Sequence, residues 1–449
     1  MKSRGRAGHN RNLGFLTWFY PGMHVKRWLL LMIFGVALFG LGVGYFLREL
    51  YITYTFPQLV YYLTLQFIPR IGRGILFIVL SIGAIGIGVW GFNRSLLSAF
   101  LTGSADRLVD IVYQHRYGRR GPKVVAIGGG TGLSVLLRGL KEQTDNLTAI
   151  VTVADDGGSS GRLRKEMGVL PPGDFRNCIA ALADAEPLMT RLLQYRFSEG
   201  SGLEGHSFGN LFIVAMSGVV GNFEEAIRET SRVLAVRGQI LPSTPENVIL
   251  TAEIDGQETV RGESNIPGIG LPISRVSLEP ADVPAHVDAV QAILDADMII
   301  LGPGSLYTSV LPNLLVQGIT EAIRRSNAVK VYVCNVATQH GETDGFSVED
   351  HADALIHHVG EGLFQHILVH NPSRRPVQLG TTATSVTFAG RGVKGVHIVA
   401  KDVVSAENPL HHDPDKLSQA LLELLSQGPP SRDDSGLEEP APDLVVARS

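Results

Sequence analysis

Residues 123–141 read KVVAIGGGTGLSVLLRGLK: a short β-branched apolar run, five residues of which four are glycine, then apolar residues at helical spacing. The first part has the composition of a buried strand and the last the pattern of an amphipathic helix. Gly128, Gly129, Gly130, Thr131 and Gly132 join them. Strand, glycine hinge and helix start in that order make a site for an anion. Glycines let a phosphate come close to the backbone, and the free N–H groups of the helix start point at it. The helix dipole adds favourable partial charge. The run departs from G-x-G-x-x-G, since position 133 is Leu, but four glycines exceed what a tight turn needs.

The same alternation continues through the body of the chain. Strand-like runs lie at 148–153, 298–301, 330–334, 366–369 and 396–400. Helical patterns lie at 133–142, 175–184, 207–219, 222–235, 286–296, 311–325 and 349–359. Short apolar strands alternating with amphipathic helices predict an α/β fold, a mainly parallel sheet with helices on both faces. Residues 247–254 and 258–260, split by Asp255-Gly256-Gln257, predict a hairpin inserted beside that sheet.

The chain has 449 residues and a net charge of −4, with no aromatic-basic repeat, which argues against a nucleic-acid partner. Its two cysteines, Cys178 and Cys334, are too few for a metal cluster and suit a reducing compartment. Residues 28–47 and 75–92 are uncharged apolar runs, which predict two transmembrane helices. Basic residues number six in 1–27, three between the runs and six in 93–123, which orients both ends inward. The organisation expected is a basic cytoplasmic N-terminus at 1–27, a membrane hairpin at 28–92, a linker at 93–120, a ligand-binding body at 121–426 and a disordered acidic, Pro-rich tail at 427–449. On this reading the protein sits in the cell membrane with its body in the cytoplasm.

Ligands of open α/β sheets bind at the carboxyl ends of strands, and several stretches fall there. Asp155 and Asp156 end a strand and can hold ribose hydroxyls, ligate Mg²⁺ or accept a proton, so they are also the candidate catalytic pair. Ser159, Ser160 and Arg162 follow in a glycine-serine loop and can meet a phosphate. Asp174 reads as the N-cap of the next helix, with Arg176 and Asn177 in a first turn that can face an anion. His206 and Asn210 flank Ser207, itself a candidate cap. Gly302, Gly304 and Ser305 form a second glycine-rich strand-to-helix turn, followed by Tyr307, which can stack on a base. Asn335 and Thr338 follow another strand and can hydrogen-bond a base or sugar. The sequence carries no Walker A lysine, no H-E-x-x-H, no CxxC and no Ser-His-Asp order.

Together, VVAIGGGTGLSVLLRGLK, TVADDGGSSGRLR, LPPGDFRNCIAALAD, HSFGNL, LGPGSLYTSVLPNLLV and CNVATQHGETDGFSVEDH resemble the bacterial YvcK proteins, or gluconeogenesis factors, of the CofD-like superfamily. The resemblance covers about residues 122–425. It implies a Rossmann-like body that binds a UDP-sugar, notably UDP-N-acetylglucosamine, and a regulator that links gluconeogenic growth to envelope synthesis and cell shape. It also implies Tyr307 as the aromatic of the nucleotide-sugar site. Related CofD enzymes transfer a phospholactyl group with Mg²⁺, which keeps a Mg²⁺-dependent transferase as the alternative. Envelope-synthesis proteins and a second copy of the chain are the partners expected beside the sugar nucleotide.

Overall fold

The apolar run after Lys123 forms strand β1, Val124–Gly128, and all five of its residues are buried. It lies inside a seven-stranded sheet of order β10-β9-β8-β7-β1-β2-β3, every pair of which is parallel. The other strands are β2 Leu147–Val151, β3 Gln239–Pro242, β7 Met298–Leu301, β8 Val329–Val333, β9 His366–His370 and β10 His397–Lys401. β2, β7, β8 and β9 are buried at every position. A strand with no exposed face needs cover on both sides, and that cover is what parallel crossovers supply. The structure is a computed structural model. It describes residues 121–427, apart from 185–186, 255–258 and 372–383, together with individual residues between 34 and 87.

The chain divides into two units, Met1–Arg107 and Leu108–Ser449. In the second, the helices that matter to the crevice are α1 Gly130–Leu140, α2 Gly158–Met167, α3 Pro172–Leu182, α4 Pro187–Gln194, α5 Phe208–Val220 and α6 Phe223–Val233. After β3 come α7 Val287–Leu294, α8 Leu311–Leu314, α9 Gln317–Arg325, α10 Val348–Val359 and α11 Pro414–Gln427. Leu133, Leu136, Leu137 and Leu140 of α1 are fully buried, each contributing about 1.5–3 kcal/mol of transfer free energy. Gly139 lets α1 meet α11, since a Cβ there would lie 2.0 Å from the Pro414 carbonyl oxygen.

Between β3 and α7 the chain makes a second, antiparallel sheet of order β5-β4-β6, with β4 Ile249–Ile254, β5 Val260–Arg261 and β6 Ile273–Glu279. The predicted hairpin is therefore two of three strands. Three further expectations need correction. The glycine-serine stretch after Asp156 is not a loop: residues 158–167 are the helix α2, whose charged second half RLRKE sustains it. The helix expected over 311–325 is broken, because a π-helical turn at Leu306–Val310 precedes α8, and Val316 is extended before α9. Asp174 does not cap α3, which begins earlier, at Pro172, after Pro171. Ser207 does cap α5, its hydroxyl accepting the Asn210 N–H at 3.3 Å.

The membrane expectation is also corrected. Among the described residues no helix is long and apolar enough to cross a membrane. Within the second apolar run, residues 75–83 and 85–87 are helical, short of the roughly 20 that a hydrocarbon core requires. Neither the two spans nor a cell-membrane localisation is upheld. Much of the first run lies outside the described residues, as do the basic N-terminus at 1–27, the linker at 93–120 and residues 428–449 of the expected tail.

Candidate functional site

Strand order reverses between β1 and β7: the chain moves outward to β2 and β3 on one side and to β8, β9 and β10 on the other. The carboxyl ends of two such strands leave a crevice that crossovers do not cover. Both glycine turns open into it. After β1, Gly129 is extended and Gly130 begins α1 with φ +64°, a left-handed value that favours glycine. After β7, the turn through Gly302, Pro303 and Gly304 leads into the π-helical turn. The two turns touch: a Cβ at Gly132 would lie 2.5 Å from the Pro303 carbonyl oxygen. Gly132 is thus glycine because another backbone occupies its side-chain space.

The crevice holds a cavity of about 480 Å³. One wall is Gly129, Gly130, Thr131 and Gly132; the facing wall includes Gly304, Ser305, Asn335 and Thr338. Asn335 holds the second turn in shape. Its Nδ2 donates to the Gly304 carbonyl at 2.9 Å, and its Oδ1 accepts the Gly304 N–H at 3.3 Å. Gln339 donates to the Ser305 hydroxyl at 2.7 Å. Thr338 is tied to Thr384, with hydroxyls 3.0 Å apart.

Carboxyl groups converge here from distant parts of the chain. Asp155, Asp174 and Glu263 all line the cavity, and no lysine or arginine does. Burial raises the Asp155 pKa, against the pull of the Gly157 N–H at 2.9 Å and the Ser160 hydroxyl. Burial pushes Asp174 up to about 6, although its carboxyl accepts the Gly130 N–H. Glu263 reaches about 8, first through burial and then through the charges of Asp155, Asp156, Glu342 and Asp174. Glu342 stands behind the second turn, where Thr308 donates to Oε1 at 3.2 Å; burial lifts it to about 7. Among the described residues no three His, Cys, Asp or Glu side chains are placed to hold a metal ion by themselves. Mg²⁺ therefore does not fit a site made by protein groups alone.

Several expected ligand contacts have other work. Asp156 accepts the Ser264 N–H at 2.9 Å and fastens the small sheet's loop to the end of β2. Ser159 is buried in a network with His206 Nδ1 at 3.0 Å and Asn210 Nδ2 at 3.1 Å. Ser160 stands behind Asp155. Arg162 donates to the Glu204 carbonyl at 2.8 Å, and Arg176 to Ser207 at 2.7 Å and to Asn177 Oδ1 at 2.8 Å. Tyr307 is 2 % exposed, edge-on to Phe346 and His358, so its ring has no free face for a base. None of these residues, nor Gly302, lines the cavity.

Glu263, Gln339, Thr152, Ser309, His411 and His412 line it without having been singled out in the sequence. Gln339 follows Thr338 directly and carried a local signal, as an amide past the end of a strand. Glu263 carried none, for its approach depends on how the small sheet docks.

Comparison with known proteins follows this geometry. Residues 124–404 match the model of the family described as CofD, 2-phospho-L-lactate transferase. A putative gluconeogenesis factor of Nostoc sp. is 46 % identical over 440 residues, 94 % of each chain. The gluconeogenesis factor of Bacillus subtilis is 46 % identical over 314 residues, 68 % of this chain and 99 % of that one. A crystal structure of a UPF0052-family protein from Bacillus halodurans aligns with TM-score 0.63 at 48 % identity, over 67 % of this chain and 99 % of that one.

Proposed function

Because this chain belongs to the CofD family, among its gluconeogenesis factors, we propose that it binds a UDP-sugar, UDP-N-acetylglucosamine, in the crevice between β1 and β7. In that role it acts as a regulator connecting gluconeogenic carbon metabolism with envelope synthesis and cell shape. The observation that carries this reading is the pairing of two glycine turns across one cavity at the reversal of strand order. The first turn would take the diphosphate on the N–H groups of residues 130–132. The amide and hydroxyl groups of Asn335, Thr338 and Gln339 would meet the polar edges of base or sugar. Titration calorimetry of the full chain with UDP-N-acetylglucosamine tests it; absence of binding at millimolar ligand ends the proposal.

A second reading is a Mg²⁺-dependent transferase acting on a nucleotide-activated donor. The two aspartates on the cavity wall, Asp155 and Asp174, favour it, since Mg²⁺ is commonly held by one or two carboxylates together with ligand phosphates. Turnover of a panel of nucleotide-activated donors with Mg²⁺ would support it. Full turnover by Asp155→Asn would remove the assigned role.

A further inference from the structure

The crevice has the backbone of an anion site and the side chains of an acidic one. Asp155 at the end of β2, Asp174 on α3 and Glu263 on the β5–β6 connection line one cavity, with no arginine or lysine on its walls. Asp156 and Glu342 act on Glu263 from just outside. Glu342 is 7 % exposed, and its Oε2 has no hydrogen-bond partner among the described residues. The nearest guanidiniums are committed. Arg164 donates to the carbonyls of Val153, Ala154 and Asp155 and to that of Val248, and Arg176 to Ser207 and Asn177. On Glu263's own element, Arg261 is paired with Glu279 at 2.8 Å. A diphosphate brought into this enclosure meets like charge on several sides, and like charges nearby favour the protonated carboxyl.

We propose that the crevice takes its anionic phosphate ligand together with protons, and that Glu263, delivered by the small sheet, is the principal proton carrier. This rests on the UDP-sugar reading for the identity of the ligand but not for its chemistry. Free Glu263, raised to about 8, exchanges its proton within the working range of the protein, and a bound diphosphate holds that proton on. Asp174, raised to about 6, is the second group able to follow. Affinity is then highest where Glu263 is already protonated and declines as pH rises through its pKa, by up to about tenfold per pH unit for one proton.

The experiment is calorimetry on the full chain at pH 8.5, in EDTA, with UDP-N-acetylglucosamine and separately with inorganic pyrophosphate. Each titration is run in bicine and in Tris, which differ in ionisation enthalpy. The expected result is a buffer-dependent heat that corresponds to net proton uptake. Affinity should weaken about five- to tenfold between pH 7.5 and pH 9.0. Glu263→Gln should lose most of the buffer dependence and flatten the pH profile. Equal heats in the two buffers, or binding that appears only when Mg²⁺ is added and without proton uptake, overturns the proposal. Proton uptake with pyrophosphate but no binding of the sugar nucleotide upholds the proton coupling and sinks the UDP-sugar reading instead. The wild-type buffer comparison stands even if Glu263→Gln does not fold.

Discussion

The Asp174 carboxyl accepts the backbone N–H of Gly130, so the helix start best placed for a phosphate already holds an anion of the protein's own. Asp174 lies on α3 and Gly130 opens α1, and both line the cavity. The first consequence concerns stability. The folded pKa of about 6 lies above the ordinary 3.8. The contribution of this group is therefore fully present below the lower value and is lost as pH rises through the higher one. A shift of this size is worth up to about 3 kcal/mol. Asp174→Asn should thus gain on the wild type between pH 4 and pH 7. Urea denaturation at several pH values measures the difference, and a difference constant with pH would contradict the assignment.

Gly132→Ala should destabilise the protein by about 1–3 kcal/mol, the usual cost of forcing atoms into filled space. The new methyl would lie 2.5 Å from the Pro303 carbonyl oxygen, a backbone atom that moves only if the second turn moves. Affinity for UDP-N-acetylglucosamine should fall at least tenfold with it. Thermal melting and calorimetry on the same sample would register both losses; unchanged affinity would show that contact between the turns is not what shapes the cavity.

Asn335→Ala removes both amide bonds to Gly304. The expected cost is about 1–3 kcal/mol of stability, since two backbone groups lose their partners. Ligand affinity should fall as well, because Ser305 and Gly304 share the wall that Asn335 shapes. Asn335→Asp keeps one acceptor but adds charge to an acidic crevice, and should bind more weakly than wild type, increasingly so above neutral pH.

Tyr307→Phe and Arg162→Ala should leave affinity within about twofold of wild type, as neither side chain lines the cavity. Tyr307→Ala, in contrast, should cost about 3–5 kcal/mol as a buried aromatic truncation. Should Tyr307→Phe abolish binding, the hydroxyl would have to reach the ligand, contrary to its burial against Phe346 and His358.

The parallel sheet was legible because its strands are short apolar runs between amphipathic helices, and burial on both faces leaves little else for such runs to do. β3 escaped notice: it has four residues, ends in Pro242, and lies at the sheet's edge, where a proline is tolerated. α2 was hidden by glycines and serines that favour loops when read locally, although three of its residues, Ser159, Ser160 and Leu163, are buried by tertiary packing. In the candidate site, the two glycine turns and Asp155 could be found from their address after a strand. Asp174 was visible, but its partner was not, since nothing in residues 170–177 says that its carboxyl meets Gly130. Tyr307 misled because an aromatic beside a glycine turn looks equally apt for a base or for a core, and burial is not written in the motif. Glu263 had no signature at all: the loop that carries it is held by Asp156, 108 residues away from Ser264.

The β5–β6 connection belongs to the small antiparallel sheet and contributes no strand to the seven-stranded one. The framework that builds the crevice and the group that governs its acidity are consequently encoded in separable segments. Exchange of a single residue in that connection would change which ionic forms of a ligand the crevice accepts while the parallel strands and both glycine turns stay as they are. Selectivity in this fold can in this way drift independently of foldability, through a surface insertion that carries little of the core.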